Sequence, residues 1–223
     1  MKLINKLISN PIFLSIWRSI ENYKIEKKSK NVYIWYMSLV KNTILWEYTT
    51  IKNENIITNS KIWDYTYISH WCNINLTQIW KFCSIWQNIK CWLWKHPIDF
   101  VSTHPIFFST WKQCQITFSD NNYYNEREEI IIWNDVWIWT NSLILDGVTI
   151  WNWAIIWACS LVNKDVPPYA IVWGVPAKII KYRFQEDIIQ KLLEIKWWDK
   201  DIEFLKENFK DFHNINSFIK KNI

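Results

Sequence analysis

The chain has 223 residues, 50% of them hydrophobic and 21% charged, with a formal net charge of +5. That length allows one domain, or one with an appendage, and the composition excludes a disordered tail and a collagen-like repeat. The lysines concentrate near the ends (Lys24, Lys27, Lys28, Lys30, Lys220, Lys221) and read as solvated faces, so no nucleic-acid partner is expected.

No apolar run reaches the roughly 18 residues that a membrane span needs. Met1–Tyr23 also lacks a small-residue cleavage site after an apolar stretch, so the chain reads as cytoplasmic. Five cysteines (Cys72, Cys83, Cys91, Cys114, Cys159) form no CxxC pair, which argues for free thiols and against a disulfide or metal framework.

In chain order, residues 1–30 read as a helix-forming, polar lead-in in which Ile12, Leu14 and Ile16 are sparse apolar positions. Over residues 31–95 an aliphatic residue recurs at steps of about six: Leu45, Ile51, Ile57, then Ile62, Ile68, Ile74, then Ile79, Ile85, Cys91. That rhythm is neither the period of a strand nor that of a helix. The fifth residue of many units is small or β-branched, as at Thr49, Thr66, Cys72 and Cys83. One bulky residue per short strand and a small one at each corner is the demand of a three-sided coil, whose turns stack because no single coil can bury its own face.

Residues 96–131 break the register, contain Pro97 and Pro105, and are crowded with polar and aromatic side chains. An excursion of that length is normally functional or disordered. The coils resume at Ile132, Ile138, Ile144, Ile150, Ile156 and Val162, with Ser142, Val148, Ala154 and Ser160 as the small residues. Pro167–Pro168 stop the register, a turn-like VWGVPAK stretch follows, and helical spacing sets in at Ile188, Ile189, Leu192, Leu193 and Ile195 and again over Ile202–Phe212. The expected organisation is a lead-in over 1–30, a coil domain over 31–183 with the 96–131 excursion, and a helical segment over 184–223 that caps the prism.

At ordinary usage a chain this long carries roughly 16 glycines, yet this one has 2 beside 19 tryptophans. Ten of those tryptophans directly follow the aliphatic residue of a unit, from Trp35, Trp46, Trp63, Trp80, Trp86 and Trp92 to Trp133, Trp139, Trp151 and Trp157. Tight corners often need φ > 0 or close backbone approach, for which glycine is the default. Most of these tryptophans are therefore expected to be glycine in the cell, through UGA decoded as glycine in an AT-rich gene. Trp137, at the last position of its unit, and Trp197–Trp198, in a helix-like segment, are expected to be genuine. The alternative is a β-helix studded with stacked indoles.

With tryptophan read as glycine, Ile79–Phe108 (IWKFCSIWQNIKCWLWKHPIDFVSTHPIFF) and Ile132–Phe184 resemble the hexapeptide-repeat acyltransferases. NDVWIW at Asn134–Trp139 and VWGVPAKIIKYRF at Val172–Phe184 are the most specific matches, and the likeness covers roughly residues 32–213. The branch it resembles holds xenobiotic acetyltransferases, acting on chloramphenicol and streptogramins, and related saccharide O-acetyltransferases. The resemblance implies a mainly β fold, a left-handed parallel β-helix with a long loop excursion and C-terminal α-helices. It further implies a homotrimer with three active sites at subunit interfaces and acetyl-CoA as co-substrate, with no metal. The departure from the family is the tryptophans themselves, which stand where members carry glycine.

Acetyl transfer from a thioester to a hydroxyl needs a base, and histidine suits it because its pKa lies near working pH. His96 opens the excursion, and by resemblance its Lys-His-Pro context is that of the family's catalytic histidine. The alternative is a loop histidine that only hydrogen-bonds a neighbouring backbone. Asp99 or a backbone carbonyl could hold the imidazole in its productive tautomer, although Asp99 could equally be a turn cap. His104, in a second His-Pro pair, could shape the acceptor pocket or be purely structural. By resemblance, a corner amide around Thr140 is the oxyanion donor, Trp137 lines the pantetheine or acceptor slot, Ala158 offers a main-chain contact, and Lys164, Lys178 and Lys181 face the coenzyme A phosphates. No cysteine is needed as nucleophile.

The expected function is acetyl-CoA-dependent O-acetyl transfer to a saccharide, with antibiotic acetylation as the runner-up. A zinc hydrolyase of the γ-type carbonic anhydrase kind would need three converging histidines, and His70, His96 and His104 do not have that family's spacing. A non-catalytic scaffold predicts no acetyl-CoA binding.

Overall fold

The computed structural model describes residues 10–222. The first nine residues of the lead-in lie outside that range. Helix α1 (Pro11–Glu26) is started by Asn10, whose side chain accepts from the Ile12 amide at 2.9 Å, with Pro11 at the first helical position. Asn22, buried in this helix, donates to the Ser38 carbonyl at 2.8 Å, and Arg18 donates to the Met37 carbonyl at 3.1 Å. The helix thereby closes the open end of the first coil.

The body is a parallel β-solenoid with three faces. The first face stacks β1 (Tyr33–Ile34), β4 (Thr50–Ile51), β7 (Tyr67–Ile68), β10 (Ser84–Ile85), β13 (Trp137–Ile138), β16 (Ile155–Ile156) and β18 (Ala170–Gly174), with β19 (Ala177–Tyr182) antiparallel at its end. The second face stacks β2 (Leu39–Lys41), β5 (Ile56–Thr58), β8 (Asn73–Asn75), β11 (Lys90–Cys91), β14 (Leu143–Ile144) and β17 (Leu161–Val162). The third holds β3 (Ile44–Leu45), β6 (Lys61–Ile62), β9 (Thr77–Ile79), β12 (Ile130–Ile132) and β15 (Thr149–Ile150).

Each unit sends its aliphatic residue inward. Ile51, Ile57, Ile62, Ile68, Ile74 and Ile79 are fully buried, and each such side chain contributes about 1.5–3 kcal/mol. The small residues also face inward. Thr49, Thr66, Cys83, Ser142 and Ser160 are buried, and their hydroxyls or thiol reach corner carbonyls, as in Thr66 Oγ1 to Trp80 O at 2.8 Å and Cys83 Sγ to Trp133 O at 2.9 Å. A bulky side chain there would displace the core, and one without a donor would leave those carbonyls unpaired.

Two details differ from the strict six-step reading. In the first run Ile34, Ile51, Ile68 and Ile85 pair in register, seventeen residues per coil, whereas Ile138 pairs Ile156 after eighteen. The short coil arises on the second face, where the left-handed residue comes two places after the aliphatic one (Asn42, Asn59, Leu76) instead of three (Tyr65, Asn88, Asn141). The second detail concerns the corner tryptophans. None of the ten has positive φ; the left-handed residue lies two positions beyond nine of them, the exception being Trp92, where the chain leaves the coil for the excursion. Of the tryptophans, only Trp71 and Trp153 have positive φ, at 60° and 59°.

The VWGVPAK turn is the β18–β19 hairpin. The C-terminal segment forms α2 (Glu186–Ile195), α3 (Ile202–Asn208) and a further helix, α4 (Ile215–Asn222), that the spacing did not reveal. Trp197–Trp198 lie in a 3-10 turn between α2 and α3. Ile189, Leu192, Trp198 and Phe218 pack on Trp153 and Tyr169 of the solenoid in a second apolar cluster. No described helix is long and apolar enough to cross a membrane.

Candidate active site

The excursion leaves β11 on the second face and returns at β12 on the third, so it hangs from the corner between them. Its base is tied shut. The Lys95 amide donates to the Glu126 carbonyl at 3.0 Å, and the Lys95 ammonium pairs with Glu128. Inside the loop, buried Glu126 accepts from Ser109 Oγ at 2.6 Å and from Gln113 at 2.9 Å, which satisfies a carboxylate that burial alone would disfavour.

His96 is exposed at the loop's root. Its Nδ1 lies 2.6 Å from the Thr103 carbonyl oxygen. A carbonyl only accepts, so Nδ1 carries a proton, and the neutral form of the ring in this orientation has its lone pair on Nε2. The ring stands edge-on to buried Phe108, centroids 6.0 Å apart, and Phe108 packs edge-to-face with Phe100 and Tyr124. This aromatic frame fixes the imidazole plane.

Asp99 is exposed and accepts no hydrogen bond among the described residues; it lines an open depression of about 460 Å3 with Phe100, Val101, Ser102 and Phe107. His104 is also exposed and caps the turn Pro105–Phe107, its Nδ1 accepting from the Ile106 amide at 3.2 Å. His70 sits in another corner against Trp71. Among the described residues no three of His, Cys, Asp and Glu gather as metal ligands.

Trp137 lies on the first face, where it edges a depression of about 320 Å3 with Tyr67, Ser84, Trp86 and Trp139. Thr140 follows at the corner between the first and second faces, and its Oγ1 is buried without a partner. Cys159 donates its amide to the Thr140 carbonyl at 3.0 Å, so Ala158 occupies the same corner one coil on. Lys164 is exposed after β17, and Lys178 and Lys181 are exposed on the edge strand β19. The residues thus divide: His96 stands at one vertex of the prism, and Trp137, Thr140 and Ala158 at or beside another.

The chain is 38% identical over 132 residues to a probable macrolide acetyltransferase of Lysinibacillus sphaericus, across 57% of this chain and 72% of that one. The chain belongs to the hexapeptide-repeat acyltransferases. A chloramphenicol acetyltransferase of Agrobacterium fabrum is 41% identical over 130 residues, where the match spans 56% of this chain and 60% of that relative's length. Among solved structures, a maltose O-acetyltransferase from Clostridium difficile 630 matches 70% of this chain and 69% of its own with 20% identity and a TM-score of 0.44. No family model matches the chain.

In this hexapeptide-repeat chain the sequence offered Asp99 or a backbone carbonyl as the partner of His96; the structure has the carbonyl and not Asp99, and the sequence did not single out Thr103 because any residue would supply that group. Phe108 and Tyr124 were visible only as members of an aromatic-rich excursion. The oppositely charged Lys95 and Glu128 at its two ends were the available signal that the loop closes on itself.

Proposed function

We propose that this protein is an acetyl-CoA-dependent O-acetyltransferase with His96 as general base. The observation that carries the reading is the Nδ1–Thr103 contact, which orients the ring and leaves Nε2 as the nitrogen that faces the acceptor at the mouth of the loop. Nε2 takes the acceptor hydroxyl's proton as its oxygen bonds to the acetyl carbonyl carbon. The thioester C–S bond then breaks, and the proton passes to the departing coenzyme A sulfur. Thr140, at a corner with an unpaired hydroxyl, supplies donors for the transient oxyanion. Trp137 and Ala158 line the pantetheine arm, and Lys164, Lys178 and Lys181 meet its phosphates.

The acceptor is a saccharide hydroxyl. Phe100 and Phe107 offer faces for a pyranose, and Asp99 and Ser102 beside them offer acceptors for its hydroxyls. Antibiotic acetylation is the second reading, favoured by the chloramphenicol and macrolide names of the sequence relatives. The working unit is a homotrimer, and the compartment is the cytoplasm. Ile98 and Val101, 95% and 109% exposed beside His96, are apolar tips that a neighbouring copy would cover.

His96→Ala is expected to lower turnover about 100-fold or more while leaving coenzyme A affinity by calorimetry nearly unchanged. Normal turnover rejects His96 as the base, and absence of coenzyme A binding in the parent rejects the activity. Assays with acetyl-CoA and a panel of sugars, chloramphenicol and a streptogramin distinguish the acceptors.

A further inference from the structure

The main core cluster, which runs from Val32 to Val172, contains no tryptophan. The corner indoles lie outside it and mainly touch one another. Trp46, Trp63, Trp80, Trp133 and Trp151 form one ladder along the prism, with successive ring centroids 4.6, 4.5, 4.7 and 5.6 Å apart and planes within 14° of parallel. Two rungs, Trp80 and Trp133, bury their indole nitrogens without an acceptor. A buried donor left unpaired costs about 1–3 kcal/mol, and glycine at either position has no side-chain donor to satisfy.

Trp71 and Trp153 take the opposite place in the corner. Their φ values of 60° and 59° lie in the left-handed region, which glycine enters without steric cost and a bulky residue does not. Gly147, at φ 82°, holds the equivalent position after Ile144 that Trp153 holds after Ile150. Backbone contacts survive the exchange, since Arg183 Nη1 bonds the Trp153 carbonyl at 3.2 Å and not its ring.

Trp198 behaves differently. It is 7% exposed and packs edge-on against Trp153, and it belongs with Leu192 and Phe218 in the second apolar cluster. Removing its ring would leave a cavity between α2, α4 and the solenoid.

We propose that UGA is decoded as glycine in the organism carrying this gene, so that the ten corner tryptophans, Trp71 and Trp153 are glycines in the protein it makes. Trp137, Trp197 and Trp198 remain tryptophan. Converting these twelve raises glycine from 2 to 14, close to the roughly 16 that ordinary usage gives. The main core cluster loses no side chain in the exchange, and the second cluster gives up the buried ring of Trp153, whose φ of 59° favours glycine.

Two measurements test this on the natural gene and protein. Codon inspection should find UGA at the twelve positions and UGG at 137, 197 and 198; UGG throughout overturns the proposal. Peptide mass spectrometry of the protein purified from its own host should read glycine at positions 71, 80, 139 and 153. Peptides carrying an indole there overturn it even if the codons are UGA. Neither readout depends on enzymatic activity, so a failure of the acetyltransferase reading leaves this test intact.

Discussion

Burial pushes the Cys72 thiol up to about 11, against the pull of the Ile89 backbone and of Lys90, and it raises Cys83 and Cys91 as well. These three sulfurs serve as small corner or strand residues. Cys114 and Cys159 are exposed and free. Since the thiolate is the reactive form, iodoacetamide at neutral pH should label Cys114 and Cys159 in the folded protein and reach the other three only after denaturation. Native-state labelling of Cys83 would show that the prism opens at that corner. Asp135 is the complementary case. Burial pushes its carboxyl up to about 6, while the Arg183 guanidinium pulls it down. Because the folded value exceeds the unfolded one near 3.9, the folded state binds more protons between those pH values. Stability from this group is therefore lost as pH rises from about 4 to about 6 and is flat beyond. Asp146, also raised by burial, slopes the same way. Asp135→Asn should flatten the melting temperature between pH 4 and 6 and stabilise the protein at pH 7 by at most about 3 kcal/mol. An unchanged pH profile would show that solvent reaches Asp135. Glycine at 153 would let it do so, because Trp153 and Asp135 line the same cavity of about 200 Å3.

Among the elements, the coils were legible because their one demand, an inward aliphatic residue with a small residue four places on, is written in residue type. Ile138 with Ser142 and Ile156 with Ser160 meet it, and all four are buried. The seventeen-residue coil was already present in the five-step gap from Ile57 to Ile62, and its cause is a left-handed Asn59, a conformation that asparagine adopts more readily than other non-glycine residues. Tyr48, Tyr65 and Phe82, stacked at the same left-handed corner position, were harder to read, since aromatic residues are rare there. Helix α4 escaped because Phe218 and Ile219 are its only buried residues, too few to set up a period. At the candidate site, His96 was singled out by its chemistry, its place and the family resemblance, and its role as base is our proposal. The Thr103 carbonyl, the Glu126 clasp and the cap made by His104 depend on how the excursion folds back, which no local pattern encodes.

On the scale of the whole molecule, the three-faced geometry decides where a complete site can form. His96 leaves the corner between the second and third faces, while Trp137 lies on the first face and Thr140 at its junction with the second. The packed core stands between those vertices, so a rigid solenoid does not bring them together within one copy. A second copy laid alongside can place its His96 corner against the Trp137 face, and closed symmetry repeats the arrangement around an axis. Light scattering should then give three times the 27.4 kDa chain mass, and a stable, active monomer would contradict the arrangement. Complementation tests the sharing of residues directly. His96→Ala and Trp137→Ala should each be impaired alone. When the two are co-expressed, some interfaces pair the intact His96 of the second variant with the intact Trp137 of the first, and activity should return to a sizeable fraction of the parent's. A site housed in a single chain would gain nothing from mixing, because every copy would still lack one of the two groups.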